Sequence, residues 1–214
     1  FYRLGKRKDV MISGDIGCYT LATGAPYNAM DACICMGGSI SMGHGAQQEF
    51  NRAGVKKKVI TVLGDSTFFH TGVNSLINTV YNNSNTINII LDNRITGMTG
   101  HQQNPTTGYN IKGEPAGKID LEKLCKALGI ERVKVVDPYN LKECEDVIKE
   151  ELSIDAPSVI ISRRPCVLLK YVKLAPPISV DADKCKGCKS CMKIGCPAIR
   201  FADGKASIDQ TICV

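Results

Sequence analysis

Val59-Ile60-Thr61-Val62-Leu63-Gly64-Asp65-Ser66 and its counterpart Ile87-Asn88-Ile89-Ile90-Leu91-Asp92-Asn93 decide the fold of this chain. Each is a short run rich in β-branched residues that ends in a turn signal, so each reads as a buried strand. Between them, Gly72 to Asn83 carries apolar residues at Val73, Leu76, Ile77 and Val80, the i, i+3, i+4, i+7 spacing of a helix packed on a sheet. A strand, a crossover helix and a second strand form a right-handed unit whose strand ends lie side by side. Asp65 and Asn93, 28 positions apart, then fall at the carboxyl ends of the two strands, where open parallel sheets bind ligands. A hard cation such as Mg²⁺ takes a carboxylate, an amide or backbone carbonyl, and phosphate oxygens. The pair suits a metal-held diphosphate. The competing reading is a plain βαβ unit in which Asp65 caps the helix and Asn93 turns the chain.

The alternation continues downstream. Leu121 to Leu128 reads as helix, Val133 to Val136 as strand, Leu141 to Leu152 as helix and Ser158 to Ser162 as strand, which predicts an α/β fold with a doubly wound parallel sheet. Upstream, Ser13 to Gly54 is Gly-rich. Gly14-Asp15-Ile16-Gly17-Cys18 follows a short apolar segment, and Cys35-Met36-Gly37-Gly38-Ser39-Ile40-Ser41-Met42-Gly43-His44-Gly45 leads into a predicted helix over Ala46 to Ala53. Glycines here allow close backbone approach to a flat ligand or a neighbouring subunit. A phosphate-binding Gly loop is the obvious competitor, but the Lys-Ser/Thr of a P-loop is absent. Arg94 to Lys118 is a long polar stretch containing Thr96-Gly97-Met98-Thr99-Gly100-His101 and His101-Gln102-Gln103-Asn104-Pro105. Its length and composition favour an active-site loop.

The tail carries a second constellation. Cys185-x2-Cys188-x2-Cys191-x4-Cys196-Pro197 is similar to the bacterial ferredoxin run, with one residue more before the last Cys. Three thiolates from one loop suit three irons of a cubane, and Gly187 lets the backbone wrap close to it. A zinc site also uses Cys-x2-Cys but needs a second pair on a longer arm. Ala175-Pro176-Pro177 marks the linker, giving domains over 1–174 and 175–214, the second a small, truncated ferredoxin-like α+β tail. In two-cluster ferredoxins the fourth Cys of each run serves the other cluster. Cys185, Cys188 and Cys191 would thus await a further ligand, and Cys196 with Cys213 would begin a second cluster. Together with the opening at Phe1 rather than Met, this leads us to expect a piece of a longer protein in which neither cluster is fully ligated.

Composition agrees with a redox enzyme of a reducing compartment. A chain of 214 residues with 43% hydrophobic content buries one good core plus an appendage. No apolar stretch approaches the roughly 18 residues of a membrane span, and no signal peptide opens the chain. Of eleven Cys, five crowd into the tail at metal spacing; Cys18, Cys33, Cys35, Cys125, Cys144 and Cys166 are scattered, as buried thiols are. These features predict a cytoplasmic protein with no membrane association. The formal net charge is +6, yet no predicted helix carries a basic stripe and Lys56-Lys57-Lys58 sits in a turn. An acidic protein partner is expected rather than nucleic acid.

Gly64-Asp65-Ser66 with Asp92-Asn93 at this spacing resembles the motif of thiamine diphosphate-dependent enzymes. With Gly14-Asp15-Ile16-Gly17-Cys18-Tyr19, Ile34-Cys35-Met36-Gly37-Gly38-Ser39-Ile40, Met98-Thr99-Gly100-His101-Gln102 and the cysteine tail, nearly the whole chain resembles the 2-oxoacid:ferredoxin oxidoreductases. The nearest likeness is to the large subunits of their indolepyruvate branch. The resemblance implies oxidative decarboxylation of aryl 2-oxoacids to the acyl-CoA and CO₂, with thiamine diphosphate and Mg²⁺ as cofactors and 4Fe-4S clusters passing electrons to ferredoxin. It further implies a smaller catalytic partner subunit, an oligomer, and coenzyme A as acyl acceptor. By position, Asp65, Asn93 and the Ile95 carbonyl hold the metal. Cys18, Gly37, Gly38, Ser39, Gly64 and Ser66 join them in binding the cofactor, and Cys185, Cys188, Cys191, Cys196 and Cys213 are the iron ligands. His44, His70 and His101 are acid–base candidates, each with a plain hydrogen-bonding role as competitor. The family's Glu that activates the aminopyrimidine has no counterpart in context, since Glu49 and Glu114 are the only glutamates near these loops. Two rival functions remain: a non-redox thiamine-dependent decarboxylase or synthase, and an electron-transfer iron–sulfur subunit.

Overall fold

The computed structural model describes residues 1–213. Five strands, β1 (Val10–Ser13), β2 (Lys58–Gly64), β3 (Ile87–Asp92), β4 (Arg132–Val136) and β5 (Ser158–Arg163), form one sheet in the order β1-β2-β3-β5-β4. Every pairing in it is parallel. The helices are α1 (Ser39–Arg52), α2 (Asp65–Thr67), α3 (Val73–Tyr81), α4 (Leu121–Ala127) and α5 (Leu141–Leu152). The chain steps from β1 to β2 to β3 through α1 and α3, and α4 carries it on to the far edge. Only the β4-to-β5 step goes back, so a right-handed crossover must put α5 on the opposite face. The core divides accordingly. Ile40, Leu76, Leu121 and Cys125 pack with Leu63, Ile90, Val159 and Ile161 on one face. On the other, Val147, Ile148 and Leu152 of α5 and the N-terminal Leu4, Ala29 and Met30 pack with Ile60, Val62, Ile89 and Ile160. This is the doubly wound sheet predicted from the alternation.

Two elements differ from the sequence reading. Helix α1 starts at Ser39, seven residues before the predicted start, and runs through Gly43 and Gly45. Low glycine propensity argued for loop, but Gly43 is the position where α1 lies directly on the sheet. A Cβ there would stand 2.4 Å from Thr61 Cγ2 and 3.2 Å from Val59 Cγ1. Gly43→Ala should therefore lower stability by about 1–3 kcal/mol through overpacking, outweighing the helix propensity it gains. Thermal unfolding checks this, and a raised Tm would contradict it. The second difference is a π-helical turn, Phe68–Gly72, between α2 and α3. It inserts a residue into the helix that opens at Asp65, as π turns near functional sites often do.

The tail holds a short antiparallel pair, β6 (Ile199–Ala202) and β7 (Lys205–Ile208), and a 3-10 turn at Ser190–Ile194. Asp203 and Gly204 join the strands with φ of 50° and 74°, as a two-residue hairpin turn requires. The tail touches the body where Gly195 lies against Pro26.

Candidate functional site

Register places the predicted pair. Gly64 of β2 lies opposite Leu91 of β3, so Asp65 and Asn93 follow neighbouring strands at the same end of the sheet. Asp65 is buried, at 2% exposure. One of its oxygens accepts the Ser66 N–H at 2.7 Å; the other accepts the Arg94 N–H at 3.1 Å and the Thr106 hydroxyl at 3.4 Å. Burial, with Asp92 adding repulsion against the amide bonds, pushes its carboxyl up to about 6. Such a carboxylate is short of positive charge. Asn93 Oδ1 accepts the Ile95 N–H at 3.1 Å, an Asx turn that curls the backbone after β3. The Ile95 carbonyl receives no hydrogen bond among the described residues, whereas the Asn93 and Thr96 carbonyls accept from Cys166 and His101.

Around this pair the polar long loop folds back. Arg94, in the left-handed region at φ 62°, reaches the Thr106 carbonyl through Nη1 at 3.2 Å and stands 3.3 Å from Asp92 through Nε. Asn104 Oδ1 accepts both the N–H and the hydroxyl of Thr106, at 2.9 and 2.6 Å, which leaves its buried Nδ2 without a partner. Ser39 Oγ is likewise buried and unpartnered, whereas Asp92 Oδ1 accepts no hydrogen bond but is ion-paired to Arg94. Unsatisfied buried polar atoms cost about 1–3 kcal/mol each, so two at one end of a sheet fit a polar ligand better than they fit a core.

The Gly-rich segment reaches the same end. A Cβ on Gly37, which has φ +86°, would fall 1.5 Å from Thr71 Oγ1 on the helical turns that follow Asp65. A Cβ on Gly97 would stand 3.5 Å from Asn93 Nδ2 and 4.0 Å from Cys18 Sγ, so Cys18 and Asn93 flank Gly97. Cys18, Gly37, Gly38, Ser39, Gly64, Asp65, Ser66, Asn93 and Ile95 thus gather around the carboxyl ends of β1, β2 and β3. Sequence reasoning missed Tyr19, whose hydroxyl accepts the Gly64 N–H at 2.9 Å and donates to the Ile16 carbonyl at 3.1 Å. It also gave no role to Asp15, Arg94, Asn104 or Thr106. The Asn104-Pro105-Thr106 turn chemistry was the one local signal for any of these.

The three histidines are placed apart. His44 sits within α1 with Nδ1 buried and unpartnered. His70 lies exposed in the π turn. His101, at φ 63°, closes the Thr96–Gln102 turn beyond Ile95, with Nε2 3.9 Å from Cys166 Sγ.

In the tail, Cys185 Sγ accepts the Ala206 N–H at 3.4 Å. The Ala206 and Gly187 amides hold its thiol below the usual range, as Ser190 does that of Cys188. Gly187 is needed at its site: φ is +67° and a Cβ would meet the Gly204 carbonyl at 2.6 Å. Amide-assisted thiolates on a wrapped loop fit iron ligation. Among the described residues no three His, Cys, Asp or Glu side chains converge as a metal cage, so the loop is present while its sulfurs are not gathered.

A buried acid and an Asx turn thus lie side by side at the carboxyl ends of adjacent strands of a doubly wound sheet, with the Gly37–Gly38 turn close by. Residues 15–162 match the family described as thiamine pyrophosphate enzyme, C-terminal TPP binding domain, and the chain belongs to that family. It is 42% identical over 93% of its length to the indolepyruvate oxidoreductase subunit IorA of Pyrococcus horikoshii, and 39% over 96% to that of Archaeoglobus fulgidus. In both cases the chain spans about a third of the relative, 33%. Among solved structures, a 2-oxoglutarate:ferredoxin oxidoreductase from Magnetococcus marinus, described with 2-oxoglutarate, coenzyme A and succinyl-CoA bound, shares the fold. Its TM-score is 0.68 at 18% identity, covering 78% of this chain and 58% of that one. A benzoylformate decarboxylase from Polynucleobacter necessarius aligns at a TM-score of 0.57 and 17% identity, over 76% of this chain and 32% of the other. No helix among the described residues is long and apolar enough to cross a membrane.

Proposed function

We propose that this chain is the cofactor-holding part of a 2-oxoacid:ferredoxin oxidoreductase acting on aryl 2-oxoacids of the indolepyruvate type. The observation that carries the reading is the placement of Asp65 and Asn93 on adjacent parallel strand ends, among buried polar atoms that lack partners. The likeness to the indolepyruvate oxidoreductase subunits supports the substrate class.

Asp65, the Asn93 amide oxygen and the Ile95 carbonyl would hold Mg²⁺, a hard-oxygen donor set with room for phosphate oxygens. Bound thiamine diphosphate supplies the electron sink on which a 2-oxoacid loses CO₂. The buried Asn104 Nδ2 and Ser39 Oγ offer donors to the cofactor, and Arg94 fixes the loop that carries Asn104. His101 stands nearest in sequence to the metal loop and is the first candidate for moving protons there. Cys185, Cys188, Cys191, Cys196 and Cys213 would ligate 4Fe-4S clusters, which accept electrons one at a time for delivery to ferredoxin. Completion of the site requires a partner subunit and an oligomer, and coenzyme A is the acyl acceptor.

The test is made on the full-length subunit assembled with its partner. Indolepyruvate should release CO₂ and reduce ferredoxin only when coenzyme A is present, with aryl 2-oxoacids preferred over short aliphatic ones. CO₂ release that yields an aldehyde and leaves ferredoxin oxidised would replace this reading with a non-redox decarboxylase.

A further inference from the structure

The amino end of α1 is a fourteen-residue helix terminus that opens on the cofactor end of the sheet. A helix terminus of this kind can receive phosphate. Here the amides of the Gly37–Ser39 turn that leads into the helix are already taken. Gly37 N–H donates to Asp15 Oδ1 at 2.8 Å, Ser39 N–H donates to Asp15 Oδ2 at 3.1 Å, and Gly38 N–H donates to the Cys35 carbonyl at 3.0 Å. Asp15 is 0% exposed and also accepts its neighbour Ile16 N–H at 2.7 Å. Its own carbonyl accepts from the Thr20 hydroxyl at 2.7 Å, and that hydroxyl in turn accepts the Gly17 N–H at 2.9 Å. No side chain of α1's own N-cap residue, Gly38, contributes a cap.

We propose that Asp15 is a positioning residue of the cofactor cleft, a built-in anion that occupies the amino end of α1 and fixes the Gly37–Ser39 turn. The cofactor's phosphates are then held through the cation at Asp65, Asn93 and the Ile95 carbonyl rather than on the Gly37–Ser39 amides. This deepens the thiamine diphosphate reading above and rests on it. Three consequences of the geometry support it. The carboxylate bridges the end of β1 to the start of α1, two elements that each border the cleft. Both oxygens are engaged by different amides, so neither a neutral amide nor a shorter side chain reproduces the pattern. And the turn it fixes is the one whose Gly37 packs on Thr71 of the helix that opens at Asp65, and whose Ser39 hydroxyl is buried without a partner.

The experiment uses the full-length subunit in its assembled enzyme, as wild type, Asp15→Ala and Asp15→Asn. Amide hydrogen exchange at Gly37 and Ser39, measured without cofactor, should be slow in wild type and fast in Asp15→Ala. Thiamine diphosphate should bind at least about tenfold more weakly to the variant, the loss of one charge-assisted hydrogen bond or more. Formate, which restores a carboxylate to the space left by the side chain, should recover much of that affinity, while chloride at matched ionic strength should not. A purely stabilising cap predicts a lowered Tm with unchanged cofactor affinity. That result, or unchanged exchange at Gly37 and Ser39, overturns the proposal. If Asp15→Ala does not fold, Asp15→Asn decides by the same two readouts, because its amide presents an N–H to one of the two donors. A wild type that binds no thiamine diphosphate would sink the functional reading, while the exchange measurement still judges Asp15.

Discussion

Asp65→Ala in the assembled enzyme should abolish retention of thiamine diphosphate, raising its Kd by at least about a hundredfold, since even the supporting residues of a metal site are worth 10–100-fold. Asp65 is the only charged group of the proposed donor set. Asn93 and the Ile95 carbonyl remain, but two neutral oxygens hold a dication poorly against water. Asp65→Asn separates this role from folding. In the cofactor-free protein the carboxyl has moved from 3.8 to about 6 because burial disfavours its charge. The folded state thus binds the proton more tightly than the unfolded one. The stability this group contributes is fully present below about pH 4, declines as pH rises to about 6 and is flat above, a change of up to roughly 3 kcal/mol. A neutral Asn has no such slope. The cofactor-free Asp65→Asn protein should be at least as stable as wild type at neutral pH while binding no cofactor. Denaturant unfolding at pH values below and above that window, with equilibrium dialysis of thiamine diphosphate, checks both. A variant that is less stable and still binds the cofactor would reverse the assignment.

Cys188→Ser in the full-length enzyme is expected to remove one iron–sulfur cluster and cut ferredoxin reduction by about a hundredfold or more, an effect of the size seen when a metal ligand or its support is lost. Thiamine diphosphate retention should be unaffected, because the proposed cofactor cleft is at the carboxyl end of the parallel sheet and the cysteine loop packs on the β6–β7 hairpin. Iron and sulfide content, electron paramagnetic resonance of the dithionite-reduced enzyme and cofactor dialysis read these separately. Intact clusters in Cys188→Ser would remove the Cys185 run from the electron path. Simultaneous loss of cofactor would show that the tail supports the cleft rather than serving it as an electron exit.

Much of this architecture is legible in the sequence because hydrophobic period and turn signals agree. Val59–Leu63 and Ile87–Leu91 become β2 and β3 with one added residue at an end or both, and α5 runs over Leu141–Leu152 as predicted. The pairing order, with β5 between β3 and β4, follows from handedness only once the faces of the helices are known. The early start of α1 was hidden because local propensity opposes it: Ser39 to Gly45 carries two glycines, and the helix there depends on contact with Thr61 and on Asp15, 24 residues away in sequence. Candidate residues could be named where a carboxylate and an amide fall at predicted strand ends, and the register does put Asp65 and Asn93 after neighbouring strands. Those missed, such as Arg94 and Tyr19, act through backbone conformation or long-range hydrogen bonds, which no local pattern encodes.

The central claim is that Asp65, Asn93 and the Ile95 carbonyl hold the cation of a bound diphosphate. The most direct measurement is anomalous diffraction from crystals of the assembled enzyme loaded with thiamine diphosphate and Mn²⁺ in place of Mg²⁺. The account predicts one manganese peak at the carboxyl ends of β2 and β3, with Asp65, Asn93 and the Ile95 carbonyl as its protein ligands at about 2.0–2.3 Å, and diphosphate oxygens completing an octahedron. A manganese peak elsewhere, or a diphosphate seated on the Gly37–Ser39 amides with Asp65 turned away, would contradict it.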